Sequence, residues 1–407
     1  MLLINVRNCP DCGPLPKSHF EKYIESFSEY ILPRLSGKWT DLGERMLVRI
    51  LTALGLIKKT KDIPFNKISL RTSVFIWEGR KRGWEFRAFK GPAGFLNVFE
   101  MQAGGRKWFF EGLPIVKFPP RTLPLAKREG WVGDIDDKAT VKRILLKNNL
   151  PASEGKSFWF FNRDKALEYG LRLGFPLVAK PRSGSMSHHV TMNIKNESEL
   201  SMAIKKAVKY EPTFIVEKYL AGTNVYRATV VGKDRVACVH RVPANVAGDG
   251  VHNVGQLIEI KNQDPKRGLP RQKDTTLYRI VIDEISQRLI KEQGFSFDDV
   301  VPAGKRVFLQ EKVILDLGAD LLEVTGQIHQ DNFVLFKKIA EIFGINLVGI
   351  DFLAEDISRS WKEQKCGIIE LNSLPYIDMH HFPLLGKPVN VAGWLCDMVE
   401  ASFMRPE

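Results

Sequence analysis

The polar chemistry of this chain stands at the ends of apolar runs that lie far apart. Val178-Ala179-Lys180 and Ile215-Val216-Glu217 each close one such run, Gly349-Ile350-Asp351 closes another, and Ile368-Ile369-Glu370-Leu371-Asn372 follows near the C-terminus. Short apolar runs that stop on a charged residue read as buried strands with functional ends. No local signature joins these pieces, so only a sheet-based fold can bring them together. Glu370 and Asn372 are two residues apart on a strand, so their side chains share a face. With Asp351 on a neighbouring strand they form an all-oxygen donor set, which suits Mg2+. Lys180, at the mouth of its strand, is a point charge suited to phosphate.

The 407 residues, 44% of them hydrophobic, suffice for two or three domains with real cores. No apolar run reaches the length of a membrane span, and the first residues are too soon interrupted for a signal peptide. Five cysteines in so long a chain are not a disulfide framework; Cys9 and Cys12 read as a pair of loop thiols. A cytoplasmic location is the expectation. The net charge of +13 is uneven: residues 1–130 hold 23 Lys/Arg against 12 Asp/Glu, whereas residues 131–407 hold 37 against 35. The basic front suits a solvated face or an acidic substrate. Nucleic acid is not the expected partner, because no recognition motif accompanies the charge.

Helical spacing predicts helices over 17–33 and 42–57, and alternating aromatic and β-branched runs predict strands at 73–77 and 84–89. Pro119-Pro120 and the basic stretch to Gly130 mark a boundary, giving a basic N-terminal α+β domain over 1–130. Helix 136–149 follows, with Ile144, Leu145 and Leu146 expected in the core. Next come helix 163–173, strands 176–180 and 189–194, helix 197–209 and strand 213–217. Runs 225–231 and 235–243 read as an antiparallel pair. The Gly-, Asn- and Asp-rich stretch 245–272 reads as a flexible loop. Helix 275–291, strand-like runs at 306–314 and 347–353, helix 332–343 and strand 367–371 complete the pattern.

Lys138 sits in the first turn of its helix, where a positive charge gains nothing from the helix dipole, so an anion is a reasonable partner. Arg227 and Arg241 are further cation candidates. Ser185 lies in a loop of small residues, hydroxyls and histidines (183–189) between two strands, suited to covering phosphates. Cys238 reads as core, and His380 and His381, being adjacent, lack metal-binding spacing. No nucleophile paired with a general base is visible.

From about 133 to 395 the chain resembles the ATP-grasp superfamily, and within it the ATP-grasp part of cyanophycin synthetases. The resemblance rests on Asp137-Lys138-Ala139-Thr140-Val141-Lys142, on Ile215-Val216-Glu217-Lys218-Tyr219-Leu220-Ala221-Gly222 and on Arg241 through His252. It rests further on Asn372-Ser373-Leu374-Pro375 and Gly386-Lys387-Pro388-Val389-Asn390-Val391-Ala392. It implies an α+β ATP-grasp fold, two α/β subdomains clasping ATP, preceded by a separate N-terminal domain. The subdomains are then a lid over 131–217 and a central and C-terminal part over 218–400 that carries the metal site and the 245–272 loop.

The resemblance also implies roles. Lys138 and Lys180 contact ATP phosphates, and Glu217, Lys218, Asn224 and Ser185 complete the nucleotide site. Asp351, Glu370 and Asn372 hold two Mg2+ ions. Arg227, Arg241 and Lys180 serve the chemistry, in which ATP activates a carboxylate as an acyl phosphate and an amine displaces the phosphate. Partners are then a small carboxylate and an amine, amino acids or peptides among them, with a homo-oligomer as an open option. Two departures stand out. Asn224 replaces the family's acid near the ribose, and Asp378 stands where the family's Pro-Gly-x-Arg run ends in arginine, reversing the charge offered to a substrate. An ATP-binding regulatory or scaffolding protein and a small-molecule kinase are the alternative readings.

Overall fold

The computed structural model describes residues 8–9, 13–14, 50–92, 94–113, 135, 137–182, 189–232, 234–270 and 272–403. Expectations for helix 17–33, most of helix 42–57, the Cys9–Cys12 thiol pair, and Ser185 with its loop fall wholly or partly outside these residues. Among the described residues no helix is long and apolar enough to cross a membrane.

Three antiparallel sheets organise the chain. The front sheet is a meander of Lys58–Thr60, Glu85–Gly91, Gly94–Ala103 and Arg106–Glu111. Helix Leu70–Lys81 packs on it through Val74, Phe75 and Ile76, and the Phe75 ring meets Phe86 and Phe110 edge-on. Residues 73–77 are therefore helical and not the strand expected. Their aromatic and β-branched character serves burial against the sheet, and tertiary packing overrides a weak strand propensity.

The second sheet runs in the order Gly155–Trp159, Thr213–Lys218, Leu177–Pro181, Thr191–Ile194. Helices Arg163–Leu173 and Glu197–Tyr210 supply its core with Ala166, Leu200, Ala203, Ile204 and Ala207. The third sheet runs Asp320–Glu323, Arg235–Val242, Asn224–Val231, Leu347–Ala354, Cys366–Asn372. Its two faces follow the period of two. Ala228, Val230, Cys238, Val348 and Ile350 form a core with Leu335, Phe336 and Ile339 of helix Gln330–Ile342. The opposite face carries Arg227, Arg241 and Asp351, and at its far end Val231, Ala237 and Leu347 join the core of the front sheet. Helix Val391–Phe403 lies in that same core through Val391, Leu395 and Val399. The front sheet is thus seated on the third sheet, beside the row of charges.

Helix Lys138–Lys147 lies against Cys366–Asn372 and starts at Asp137, whose carboxylate accepts from the Ala139 amide. Leu145 is buried, Ile144 is partly buried, and Leu146 faces solvent rather than the core as expected.

The stretch 245–272 is not a loop throughout. Strand Asn245–Ala247 pairs with Arg306–Phe308, and helix Val254–Asn262 buries Val254, Leu257 and Ile258. Its start is a capping box: the Asn253 side chain accepts from the Gln256 amide, and the Gln256 side chain accepts from the Asn253 amide. Asn253→Ala is expected to cost about 0.5–2 kcal/mol of stability, read by urea unfolding, with faster amide exchange concentrated in 254–262. Uniform exchange across the chain would assign the effect elsewhere. Asp320 ties this segment to the third sheet, accepting from Asn245 at 2.9 Å and Lys261 at 2.7 Å and pairing with Arg267.

The helix expected at 275–291 spans only Glu284–Glu292, capped by Asp283 and Ser286, and Leu277–Tyr278 is a short strand. The run 306–314 is a strand only over Arg306–Phe308. In both cases a cap or a turn ends an apolar pattern that period alone extends.

Candidate active site

The pairing of the last two strands sets Asp351 directly opposite Glu370, and Gly349 opposite Asn372. Period two then places Asp351, Glu370 and Asn372 on one face. On the next strand Arg227 pairs with Asp351. Its guanidinium grips the carboxylate in two places, Nε to Oδ1 and Nη2 to Oδ2 at 2.9 Å, a fork geometry that lysine does not offer. Arg241, one strand further, sets Nη1 at 3.5 Å from both oxygens. Gly349 makes room for this packing: a Cβ there would lie 3.0 Å from Pro375 Cβ and 3.2 Å from Arg227 Nη1.

These groups shift one another. Burial alone would raise the Asp351 pKa, but Arg227 and Arg241 outweigh it and hold the carboxyl low. Glu370 moves upward, through burial and then the charge of Asp351. Two carboxylates this close do not both ionise readily without a cation. Burial depresses Arg241 more than Asp351 restores it.

The donor set fits Mg2+: two carboxylates and an amide oxygen on one face. A carboxylate has about four lone-pair sites, so the grip of Arg227 leaves acceptor capacity on Asp351. Among the described residues no cluster of three or more His, Cys, Asp or Glu side chains forms a metal site.

Helix Lys138–Lys147 carries cations to two places. Lys138 sets Nζ at 3.7 Å from Glu370 Oε2. One turn on, Lys142 donates to Ser153 Oγ at 3.1 Å and to Glu217. The other oxygen of Glu217 accepts from Lys180 at 2.6 Å. Gly155 permits this approach, since a Cβ there would stand 2.4 Å from Glu217 Cβ. Burial would raise the Glu217 pKa, but Lys180 and Lys142 bring it down to about 2. Lys142 was missed from sequence, although its i+4 spacing from Lys138 put both on one helix face.

The remaining expected residues are spread wider. Lys218 turns its ammonium to the carbonyls of Leu173, Gly174 and Phe175 (2.9–3.4 Å), at the C-terminal end of a helix, so its side chain is engaged there. Asn224 is exposed and donates to the Glu355 carbonyl at 2.7 Å. Cys238 is fully buried and its thiol pKa is pushed up, in keeping with a core residue. His380 is buried between Glu323 and Thr229.

A folded pKa near 2 for Glu217, against an ordinary 4.5, fixes the sign of an acid effect. A depressed carboxylate contributes stability that is complete above its unfolded pKa and is lost as pH falls through the folded one. The stability difference between the protein and its Glu217→Gln variant should therefore shrink as pH falls from about 4.5 towards 2. A difference independent of pH across that window would contradict the lysine–glutamate–lysine arrangement.

Residues 156–253 match the family model of the D-ala D-ala ligase C-terminus. The chain is 34% identical over 264 residues to the cyanophycin synthetase of Trichormus variabilis, covering 65% of this chain and 29% of that protein. It is 27% identical over 334 residues to the glutathione biosynthesis bifunctional protein of Clostridium perfringens, covering 81% of this chain and 41% of the relative. The bifunctional glutathione synthetase of Pasteurella multocida superposes with a TM-score of 0.58 at 25% identity, over 83% of this chain and 45% of that one. The chain thus has the ATP-grasp fold and is homologous to the ATP-grasp part of cyanophycin synthetases. It spans under half the length of each relative named.

Proposed function

We propose that the chain is an ATP-dependent ligase that joins a small carboxylate to an amine through an acyl phosphate and releases ADP and phosphate. The observation that carries this reading is the row Arg241, Arg227, Asp351, Glu370 and Asn372 on one sheet face, with Lys138 reaching Glu370 from the adjacent helix. Homology to ATP-grasp ligases supports it.

Asp351, Glu370 and Asn372 would hold Mg2+, as two ions on the resemblance, supplying charge neutralisation for the nucleotide phosphates. Lys138 and Lys180 add positive charge beside them, and Glu217 with the backbone of Lys218 lines the nucleoside side. The substrate carboxylate attacks the γ-phosphorus and ADP leaves. Arg227 and Arg241, held at Asp351, would supply positive charge where negative charge builds on the reacting oxygens, the usual source of the largest single rate contribution. The amine nitrogen then attacks the acyl carbon, phosphate leaves with the electron pair, and the nitrogen's proton passes to the departing phosphate. Exclusion of water preserves the mixed anhydride.

The test is Mg2+-dependent release of ADP and phosphate against amino acids, dipeptides and amines, with mass detection. A product equal to both substrates less water, formed with ADP, supports the ligase. A phosphorylated product needing no amine supports a kinase instead. ATP binding with no turnover across the panel supports a regulatory protein.

A further inference from the structure

Resting on the reading of Lys138 and Lys180 as phosphate cations, we infer that Asp137 and Arg182 form a brace that sets the spacing of those two lysines, both acting as positioning residues for the nucleotide phosphates. Asp137 immediately precedes Lys138, and Arg182 stands two residues beyond Lys180. The two come from different units. Arg182 follows strand Leu177–Pro181 of the second sheet and stays tied to that sheet, its amide donating to the Thr213 carbonyl at 3.1 Å. Asp137 caps helix Lys138–Lys147, which joins the core of the third sheet through Val141 and Leu145.

The contact is a fork. Arg182 donates Nε to Asp137 Oδ1 at 2.7 Å and Nη2 to Oδ2 at 2.5 Å. The Ala139 amide at 3.1 Å and the Thr140 hydroxyl at 2.7 Å donate to the same carboxylate. A carboxylate has about four acceptor sites, so these donors saturate Asp137, and its part is to hold position rather than metal. Burial would raise its pKa, but Arg182 outweighs that and holds the carboxyl low. Both side chains are 16% exposed. An ion pair that water reaches contributes little to stability, whereas paired N–H···O bonds fix angle as well as distance. The brace therefore governs geometry more than stability.

Period two puts Lys180 and Arg182 on one face of their strand, and the helix is tied to that face twice. Lys180 shares Glu217 with Lys142, and Arg182 holds Asp137. The first tie is buried; the second stands at the helix start, beside Lys138, whose ammonium lies 3.7 Å from Glu370. With the second tie cut, the buried tie still joins the two units, but the helix start is free to shift against the second sheet. Lys138 and Lys180 then no longer meet one phosphate chain at the required separation. The loss falls on the phosphates and not on the nucleoside.

The test is calorimetry on the full chain with Mg2+–ATP and with AMP, which lacks the β- and γ-phosphates. Arg182→Met should weaken Mg2+–ATP about tenfold and leave AMP within about twofold. Asp137→Asn keeps a good helix cap and should give the same pattern. Arg182→Lys keeps the charge and loses the fork; it should fall between, and it serves if Arg182→Met does not fold. The double variant Asp137→Asn with Arg182→Met should be no weaker than the worse single variant, since each removes the same contact. Where turnover is seen, the KM for ATP should rise by the same factor and the KM for the carboxylate substrate should not. An ATP-selective loss in a chain without turnover supports the brace and counts against the ligase. Turnover with the KM for ATP unmoved in the variants supports the ligase and overturns the brace. Equal losses of ATP and AMP, additive losses in the double variant, or no binding of Mg2+–ATP by the unaltered chain also overturn it.

Discussion

Glu370→Gln is expected to leave the fold intact and reduce turnover at least about 100-fold. Glu370 stands opposite Asp351 across paired strands and 3.7 Å from Lys138. Glutamine keeps its shape but removes the charge that would hold a divalent cation and set the potential at the phosphates. Stability should not suffer. The Glu370 pKa is raised by burial and by Asp351, so its ionised form opposes folding near neutrality, and removing that charge relieves repulsion. Urea unfolding should give an unchanged or higher midpoint, while ADP release at saturating Mg2+–ATP collapses. Turnover near the original level in a well-folded variant would remove Glu370 from the metal site.

The second large effect is on stability. Glu217→Gln should cost about 3–5 kcal/mol, because it leaves the ammonium groups of Lys142 and Lys180 buried without their shared counter-charge. Both lysines and Glu217 are less than a tenth exposed. Burial lowers the Lys142 pKa, Glu217 opposes that shift, and Lys180 adds to it. Without the glutamate, one ammonium deprotonates or the region opens. Adding Lys142→Met to Glu217→Gln should recover part of the loss, since a charge is then removed together with its partner. A urea-derived loss below about 1 kcal/mol would mean that water or local rearrangement already relieves the lysines.

Lys180, Glu217, Glu370 and Asn372 were readable as the polar residues closing apolar runs, and the structure places each in the last three positions of its strand. Asp351, expected to close its run, lies in the middle of Leu347–Ala354, because Phe352, Leu353 and Ala354 carry the strand on. Helices Arg163–Leu173, Glu197–Tyr210 and Gln330–Ile342 were legible from a sustained helical period. What failed was local pattern taken without its caps. Asn253 followed three residues later by Gln256 is a helix-start signature hidden in a Gly- and Asn-rich stretch, and Asp283 with Ser286 is another. The strand expected at 73–77 is helix because the front sheet buries it.

Other features depend on contacts distant in sequence, and no window could show them. Asp137, which caps helix Lys138–Lys147, also binds Arg182 in two places at 2.5 and 2.7 Å. Arg227 was a loose cation candidate until strand pairing set it opposite Asp351. Asp378 was visible as a charge reversal, but the structure places it in the lining of a pocket shared with Lys67 and Phe95 from the front of the chain.

The central claim, activation of a carboxylate as an acyl phosphate, is tested most directly by isotope transfer. The carboxylate substrate found in the panel is labelled with 18O in both oxygens, and the products are weighed after one round of turnover. The expected result is inorganic phosphate carrying one 18O, an amide retaining the other, and ADP. Unlabelled phosphate, or label appearing in AMP alongside pyrophosphate, would contradict the acyl phosphate and with it the role given to this site.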